Sequence, residues 1–128
     1  MIVLPIYYTV EYKTKKDKTS LVGMNFYRNS HFQVLNKVKK YFDDIAQQQL
    51  RNLVPLTGAY KLTIVVYYKN SASDGSNIAA IAEKHILDSL QSGGIVINDN
   101  VKYHHGTTWS LGGVDKLNPR VEIEVIPI

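Results

Sequence analysis

Acidic side chains stand at two turns of the sequence and along the helix predicted between them. Asp74 precedes that helix and Asp99 follows it, after a short apolar run. Free backbone amides at a helix start can orient a carboxylate, and a turn after a strand can project one. Carboxylates that converge repel one another unless a cation lies between them, and Mg²⁺ prefers oxygen ligands. The two acids therefore predict a magnesium site, although Asp74 could equally be only a turn and cap residue.

The helix predicted between these acids carries a mostly polar stripe. Because successive helical residues advance by about 100°, one face collects Asn77, Ile81, Lys84 and Asp88. On that face Lys84 can stabilise charge on a phosphate under attack, and a metal ion can activate the attacking water. Lys84 and Asp88 also stand four residues apart, so a helix-surface salt bridge explains them equally well.

The spacing of apolar residues predicts the elements that must position these side chains. One helix starts at Ser30, capped by Ser30 or Asn29, and ends near 52–55, and a second runs from Ser76 to Leu90 before Gly93 and Gly94. Strands are predicted at Ile2 to Tyr12, Tyr60 to Lys69, Ile95 to Ile97, Val101 to Ser110 and Val121 to Ile126. The basic run from Lys13 to Ser20 is predicted to be a mobile loop or hairpin tip.

This order of main elements, β-α-β-α-β-β, predicts a mixed β-sheet covered by two main helices, in the α+β or α/β class. A length of 128 residues favours a single domain, residues 1–128. The absence of cysteine excludes disulfides, thiolate zinc sites and a cysteine nucleophile. No stretch approaches the roughly 20 apolar residues of a membrane span, and the opening MIVLPIYY lacks a basic leader, so we expect a cytoplasmic protein.

The charge is distributed unevenly along the chain. Residues 1–69 hold eleven Lys/Arg against four Asp/Glu, a net charge of +7, whereas residues 70–128 hold four against seven, a net charge of −3. A basic half suits a polyphosphate partner and an acidic half suits a hard divalent cation. Short chains also show such asymmetry by chance.

The ordered motif resembles the RusA family of Holliday-junction resolvases, which are common in phages and prophages. It comprises a strand, Asp74-x-x-Asn77 at a helix start, Lys84 four residues before Asp88-x-Leu, a glycine stop and Val96-x-x-Asp99, where the family has Val or Ile, before the last strands. Upstream, Asn25-Phe26-Tyr27-Arg28 looks like the family's early Asn-aromatic-Arg segment. The closing run 118–123, NPRVEI, looks like its final strand.

The resemblance implies a homodimer that binds four-way DNA junctions by shape and makes paired nicks with Mg²⁺, with Mn²⁺ as the alternative metal. It implies that Asp74 and Asp99 bind the metal and that Lys84 is the catalytic or phosphate-contacting lysine. Asp88, the acid that follows Lys84 on the helix, is expected to be a further catalytic residue and metal ligand. The DNA contacts expected from the resemblance and from charge are Asn25, Tyr27, Arg28, Asn77, Lys102 and Arg120.

The chain departs from the family pattern at two positions. Ser76 stands where the family usually has a second Asp after Asp74, and Asn98 stands where it has the first of a paired Asp-Asp. Glu83, beside Lys84, is the candidate to supply the missing acid as a metal ligand. If it does not, the site has too few oxygens, so a catalytically weak or inactive protein that binds branched DNA is the alternative.

Other residues have plainer explanations. His104 and His105 are neighbours in a predicted strand, so they point to opposite faces and are expected to be a surface or DNA-facing pair rather than metal ligands. His85 could serve as a base, but a helix-surface histidine is the simpler expectation. Trp109 could stack on unpaired bases, or be an ordinary strand aromatic. A phage structural protein without a nucleic-acid role is a third possible function.

Overall fold

The structure, a computed structural model, describes all residues from 1 to 128 and contains six strands and three helices. The strands are β1 (Ile2–Pro5), β2 (Tyr7–Val10), β3 (Lys18–Leu21), β4 (Tyr60–Tyr68), β5 (His104–Val114) and β6 (Arg120–Pro127). The helices are α1 (Met24–Asn29), α2 (Phe32–Leu50) and α3 (Gly75–Ser92). The predicted mixed sheet in an α+β fold is confirmed.

Four strands form the main sheet, in the order β1-β6-β4-β5. β4 and β5 are parallel and are joined through α3, as a βαβ crossover requires, whereas β6 pairs antiparallel with both β4 and β1. β5 is therefore an edge strand. Its pairing with β4 is regular only over 107–111, because the register shifts on both sides of that segment.

Both long helices cover the same face of the sheet. Alternate residues of β4 are buried in one apolar cluster with Ile78, Ile86 and Leu90 of α3 and with Ala46 and Leu50 of α2. The intervening side chains of β4 lie on the other face, which no helix covers. α2 and α3 run in the same direction, since Phe42 stacks near His85 and, further along both helices, Gln47 donates to Ser92.

The first predicted strand is wrong in its extent, because it breaks at Ile6. β1 pairs with β6, whereas β2 turns into an antiparallel hairpin with β3, so that part of the predicted loop at 13–20 is a strand. A short helix, α1, occupies residues that were not assigned to any element. The cap of α2 is His31, whose Nδ1 accepts from the amide of Gln33, rather than Ser30 or Asn29.

The predicted strand at Ile95 to Ile97 is also wrong. Ile95 and Val96 are buried, but their amides both donate to the carbonyl of Leu90, at the end of α3. The segment therefore packs against the C-terminal end of α3 and pairs with no strand. β5 starts at His104 rather than Val101, because residues 101–103 form a turn.

The glycine stop after α3 is confirmed. Gly94 has a φ of +72°, a left-handed conformation that glycine adopts without steric cost, and its amide donates to the carbonyl of Gln91. None of the three helices combines the length and apolar content that a bilayer crossing requires.

Candidate active site

Asp74 is the N-cap of α3 and is held by the helix that it starts. One carboxylate oxygen accepts from the Ser76 hydroxyl at 2.9 Å and from the Asn77 amide at 3.4 Å, and the other accepts from Asn77 Nδ2 at 3.0 Å. A carboxylate is favoured at this place because the amides of the first helical turn are unpaired and the helix dipole is positive there. The side chain is nevertheless exposed, so its free lone pairs face solvent.

Asp99 is exposed in a turn that its neighbours hold in place. Asn98 Oδ1 accepts from the amides of Asp99 and Asn100, at 2.7 and 3.1 Å, and the carbonyl of Asn98 accepts from the Tyr60 hydroxyl at 2.9 Å. Burial, and to a lesser extent the charge of Asp99, raises the pKa of Tyr60 to about 12. The Asp99 carboxylate itself makes no hydrogen bond or ion pair.

The two acids lie at opposite ends of the sheet, so the expectation that they meet within one chain is wrong. We call the end where β4 finishes and α3 starts the Asp74 end, and the end where β4 starts, at Tyr60, the Asp99 end. α3, whose 18 residues span about 27 Å, runs from one end to the other. The prediction relied on a strand at 95–97 that would carry the chain back along the sheet. That segment folds onto the end of α3 instead.

Glu83 and Asp88 do not complete a metal site with either acid. Both lie on α3 between its ends, and Asp88 is exposed at a polar groove that α2 and α3 form together. No group of three or more His, Asp or Glu side chains in the chain is placed to hold a metal ion. Asp74 and Asp99 of one chain therefore do not converge on a common magnesium ion.

The structure does bring together α1 and the middle of α3. The Tyr27 hydroxyl and His85 Nε2 share a hydrogen bond of 2.7 Å, and Lys84 Nζ lies 5.2 Å from the centre of the Tyr27 ring. Near the start of both helices, Gly23 approaches Asn77, since a Cβ on Gly23 would lie 3.8 Å from that of Asn77. Three of the predicted site residues, Tyr27, Asn77 and Lys84, thus lie along one seam between α1 and α3.

His85 is the residue that sequence reasoning placed wrongly. It is only 6% exposed, beneath Tyr27 and beside Phe42, rather than on the helix surface. Burial, followed by the charges of Lys84 and Lys39, lowers its pKa to about 4. Burial, followed by the charge of Asp88, raises the pKa of Tyr27 to about 12. Both rings are therefore uncharged at neutral pH. The signal in the sequence was the position of His85 beside the apolar Ile78, Ile81 and Ala82 face.

The other residues expected to contact DNA differ in their exposure and in whether their charge is already paired. Asn25, Arg28 and Lys102 are exposed, the first two on α1 and Lys102 at the Asp99 end. Arg120 instead binds Asp115 at 2.7 Å and Glu122 at 2.9 Å, and its guanidinium lies 4.1 Å from the centre of the Tyr67 ring on the open sheet face. Its charge is already compensated, so it is a weak candidate for a phosphate contact.

The two neighbouring histidines near the start of β5 have separate partners. His104 stacks on Tyr60 with ring centres 5.5 Å apart and bonds Thr107, and His105 bonds the carbonyl of Lys102. Trp109 is half-exposed and packs its ring edge, with Leu111, over the start of α3. A Cβ on Gly75 would lie 2.9 Å from Trp109 and 2.8 Å from Leu111, so the glycine permits this close approach.

Comparison of the chain with protein-family models, with curated proteins and with solved structures finds no match.

Proposed function

We propose that this chain is a magnesium-dependent endonuclease that acts on branched DNA such as four-way junctions, of the RusA resolvase type, and that it works as a homodimer. The seam between α1 and α3 carries the proposal. Two segments that separately resemble that family, 58 residues apart in sequence, meet there through Tyr27 and His85. The seam leaves Lys84 and Arg28 exposed beside it, where a phosphate can be contacted.

The separation of the two acids supports the homodimer. If both Asp74 and Asp99 serve one reaction, they must come from two subunits, because in one chain they lie at opposite ends of the sheet, which α3 spans over about 27 Å. In a twofold dimer the same patch of each subunit contacts its copy. A twofold axis that crosses the middle of α3 or β5 would therefore set Asp74 beside Asp99 of the partner subunit.

The free edge of β5 is the surface that we assign to this contact. Edge strands expose unpaired backbone groups that favour pairing with another strand. The regular segment 107–111 has its middle at Trp109, which is 45% exposed, and Leu111 beside it is 56% exposed. Antiparallel pairing of two copies about Trp109 would bring the Asp74 end of one subunit to the Asp99 end of the other.

Synthetic four-way junctions incubated with purified protein and Mg²⁺ test the proposal. We expect paired nicks that Asp74→Asn and Asp99→Asn each reduce by on the order of 100-fold or more. Asparagine is also a good N-cap, so the first change removes charge and leaves α3 capped. Glu124→Gln, at an exposed acid on the open sheet face, is the matched control and should nick like the wild type. No nicking by the wild type, or full nicking by both variants, would end the proposal.

The second candidate is a protein that binds branched DNA and has lost the chemistry. Ser76 and Asn98, which replace acids of the family pattern, both have structural hydrogen bonds here: Ser76 with Asp74, and Asn98 with the turn that holds Asp99. Titration calorimetry with Mg²⁺ and Mn²⁺ separates the candidates. A protein that binds branched DNA without cleaving it should bind junctions and show no metal binding that depends on Asp74.

As the resemblance implies, either protein would act in the cytoplasm of a bacterial host cell, encoded by a phage or prophage.

A further inference from the structure

The hairpin formed by β2 and β3 stands apart from the main sheet. Its two strands pair only with each other, over Tyr7 to Val10 and Lys18 to Leu21, and all residues of the connecting tip, 11–17, are exposed. It rests on α2 through the edge-to-face contact of Tyr8 with Tyr41, whose ring centres are 5.2 Å apart. The hairpin is therefore a two-stranded ribbon that is supported at its base and free at its tip.

The ribbon carries charge that the protein does not neutralise. It holds four lysines, Lys13, Lys15, Lys16 and Lys18, against Glu11 and Asp17. The ion pairs of the chain involve only Lys40 and Arg120 among the cations, so no lysine of the hairpin has an acidic partner. Asp17 is used locally, because its carboxylate accepts from the amide of Tyr12. Unpaired lysines spaced along an exposed ribbon match the repeated negative charge of a nucleic-acid backbone.

The neighbours of the ribbon extend the same surface. On one side, a groove between the hairpin and α2 is lined by Tyr12, Lys37 and Tyr41. On the other side, a groove towards α1 is lined by Lys18, Asn25 and His31. Amide, imidazole, ammonium and phenol groups are donors to phosphate oxygens. The two grooves therefore present donors on both flanks of the ribbon.

The base of the ribbon lies at the Asp74 end of the sheet. Lys69, which follows β4 and precedes Asp74 by five residues, holds its Nζ 5.7 Å from the centre of the Tyr7 ring. Gly23, two residues after β3, lies against Asn77 of α3. A nucleic acid that follows the ribbon towards its base thus arrives beside Asp74.

We infer that the β2–β3 hairpin is an arm that lies along the sugar-phosphate backbone of a DNA duplex and leads that duplex to Asp74. The major groove of a DNA duplex, which the sugar-phosphate backbones border, admits a two-stranded β-ribbon, and this favours duplex DNA as the partner. The inference rests on the proposed function for its substrate. It adds a contact surface that does not include the residues of the α1–α3 seam.

The test measures the affinity of the full chain for a fluorescent four-way junction at several salt concentrations, by anisotropy and without divalent metal. Lys13→Gln/Lys16→Gln removes two charges from the arm. Lys40→Gln/Lys61→Gln removes two exposed charges, one from α2 and one from the open face of the sheet, and is the matched control. Circular dichroism melting curves confirm that both double variants are folded.

For each arm that contacts DNA, we expect the arm variant to lower the slope of log affinity against log salt by about 2 and to weaken binding about 10- to 100-fold near 0.1 M salt. The control variant should change both quantities little. Equal losses in the two variants, or wild-type binding by the arm variant, would overturn the inference. So would a wild-type chain that binds no DNA, or one displaced from the junction equally well by a polyglutamate of the same charge.

The outcomes for arm and nuclease can be told apart. Arm-dependent binding without nicking would overturn the endonuclease and keep the arm. Nicking that Asp74→Asn abolishes and that Lys13→Gln/Lys16→Gln leaves unchanged at low protein concentration would overturn the arm and keep the endonuclease.

Discussion

The Asp74 end and the Asp99 end of the sheet each present one exposed acid, but the two acids are held in opposite ways. At the Asp74 end the carboxylate is fixed by Ser76 and Asn77, so the side chain is part of the structure. At the Asp99 end the backbone is fixed by the side chain of Asn98, and the carboxylate is left without a partner. The difference teaches that the first acid has both a structural and a proposed chemical role, whereas the second has only its charge.

The largest expected effect comes from mixing the two ends across subunits. Asp74→Asn and Asp99→Asn chains, each inactive as a homodimer, are co-expressed so that mixed dimers form. Such a dimer has one site with both acids intact, Asp99 from the first chain and Asp74 from the second. If about half of the dimers are mixed, nicking should recover to about a quarter of the wild-type rate, at least 10-fold above either variant alone.

The recovered activity should consist of single nicks, because the second site of a mixed dimer has lost both acids. Gel analysis of the junction products distinguishes single from paired nicks. Co-expressed chains that stay as inactive as the separate ones would show that the two acids do not form a site between subunits. The different ways in which the fold holds Asp74 and Asp99 would then have no bearing on catalysis.

The elements with a strong local pattern could be predicted from the sequence. β4 alternates buried and open side chains over 60–68, and α3 has an acidic cap and a glycine stop, so both were predicted to within two residues at each end. The apolar run at 95–97 has the composition of a strand, but whether it pairs depends on the carbonyl of Leu90, at the end of α3, to which it bonds. Nothing local in the sequence carries that information.

For the candidate site too, local features could be predicted from the sequence and tertiary contacts could not. The N-cap role of Asp74 follows from its neighbours in the sequence, and the structure has it. The meeting of Asp74 with Asp99 depended on the path of the chain after α3, which is a matter of tertiary structure. The contact of Tyr27 with His85 could not be predicted for the same reason, since it joins residues of two helices that are 58 positions apart in the sequence.

The second largest effect is expected from replacing His85, in the middle of α3. It tests whether the contact of His85 with Tyr27 stabilises α1 and leaves the turn at the Asp99 end unaffected. His85→Ala leaves a cavity beside Phe42 and an unpaired Tyr27 hydroxyl, so we expect a loss of about 3 kcal/mol in the free energy of unfolding, measured in urea. His105→Ala, at an exposed histidine, should change it by less than about 0.5 kcal/mol. Amide exchange should accelerate in α1 and leave the turn at 98–103 unchanged. Faster amide exchange in both α1 and the turn at 98–103 would show that the His85 contact stabilises the two ends equally.

The protonation of His85 gives the same contact a dependence on pH. Its pKa in the folded chain is about 4, below the ordinary value of 6.5, so the unfolded chain binds more protons between these two values. The stabilisation that the uncharged ring supplies is therefore complete above pH 6.5 and is lost as the pH falls towards 4, by on the order of 3 kcal/mol. Urea midpoints of the wild type should fall more steeply over this range than those of His85→Gln. Parallel curves would contradict the assignment.

The smallest effect separates structure from charge at the two ends. Asp74→Ala removes the N-cap of α3 and should lower the free energy of unfolding by about 1 kcal/mol, whereas Asp74→Asn keeps the cap and should lower it less. Asp99→Ala and Asp99→Asn remove a side chain without a hydrogen bond, so both should lie within about 0.5 kcal/mol of the wild type. Urea denaturation of the four variants measures this pattern. A loss at residue 99 as large as that at residue 74 would mean that the Asp99 carboxylate is also held by the fold. Its effect on nicking could then no longer be attributed to charge alone.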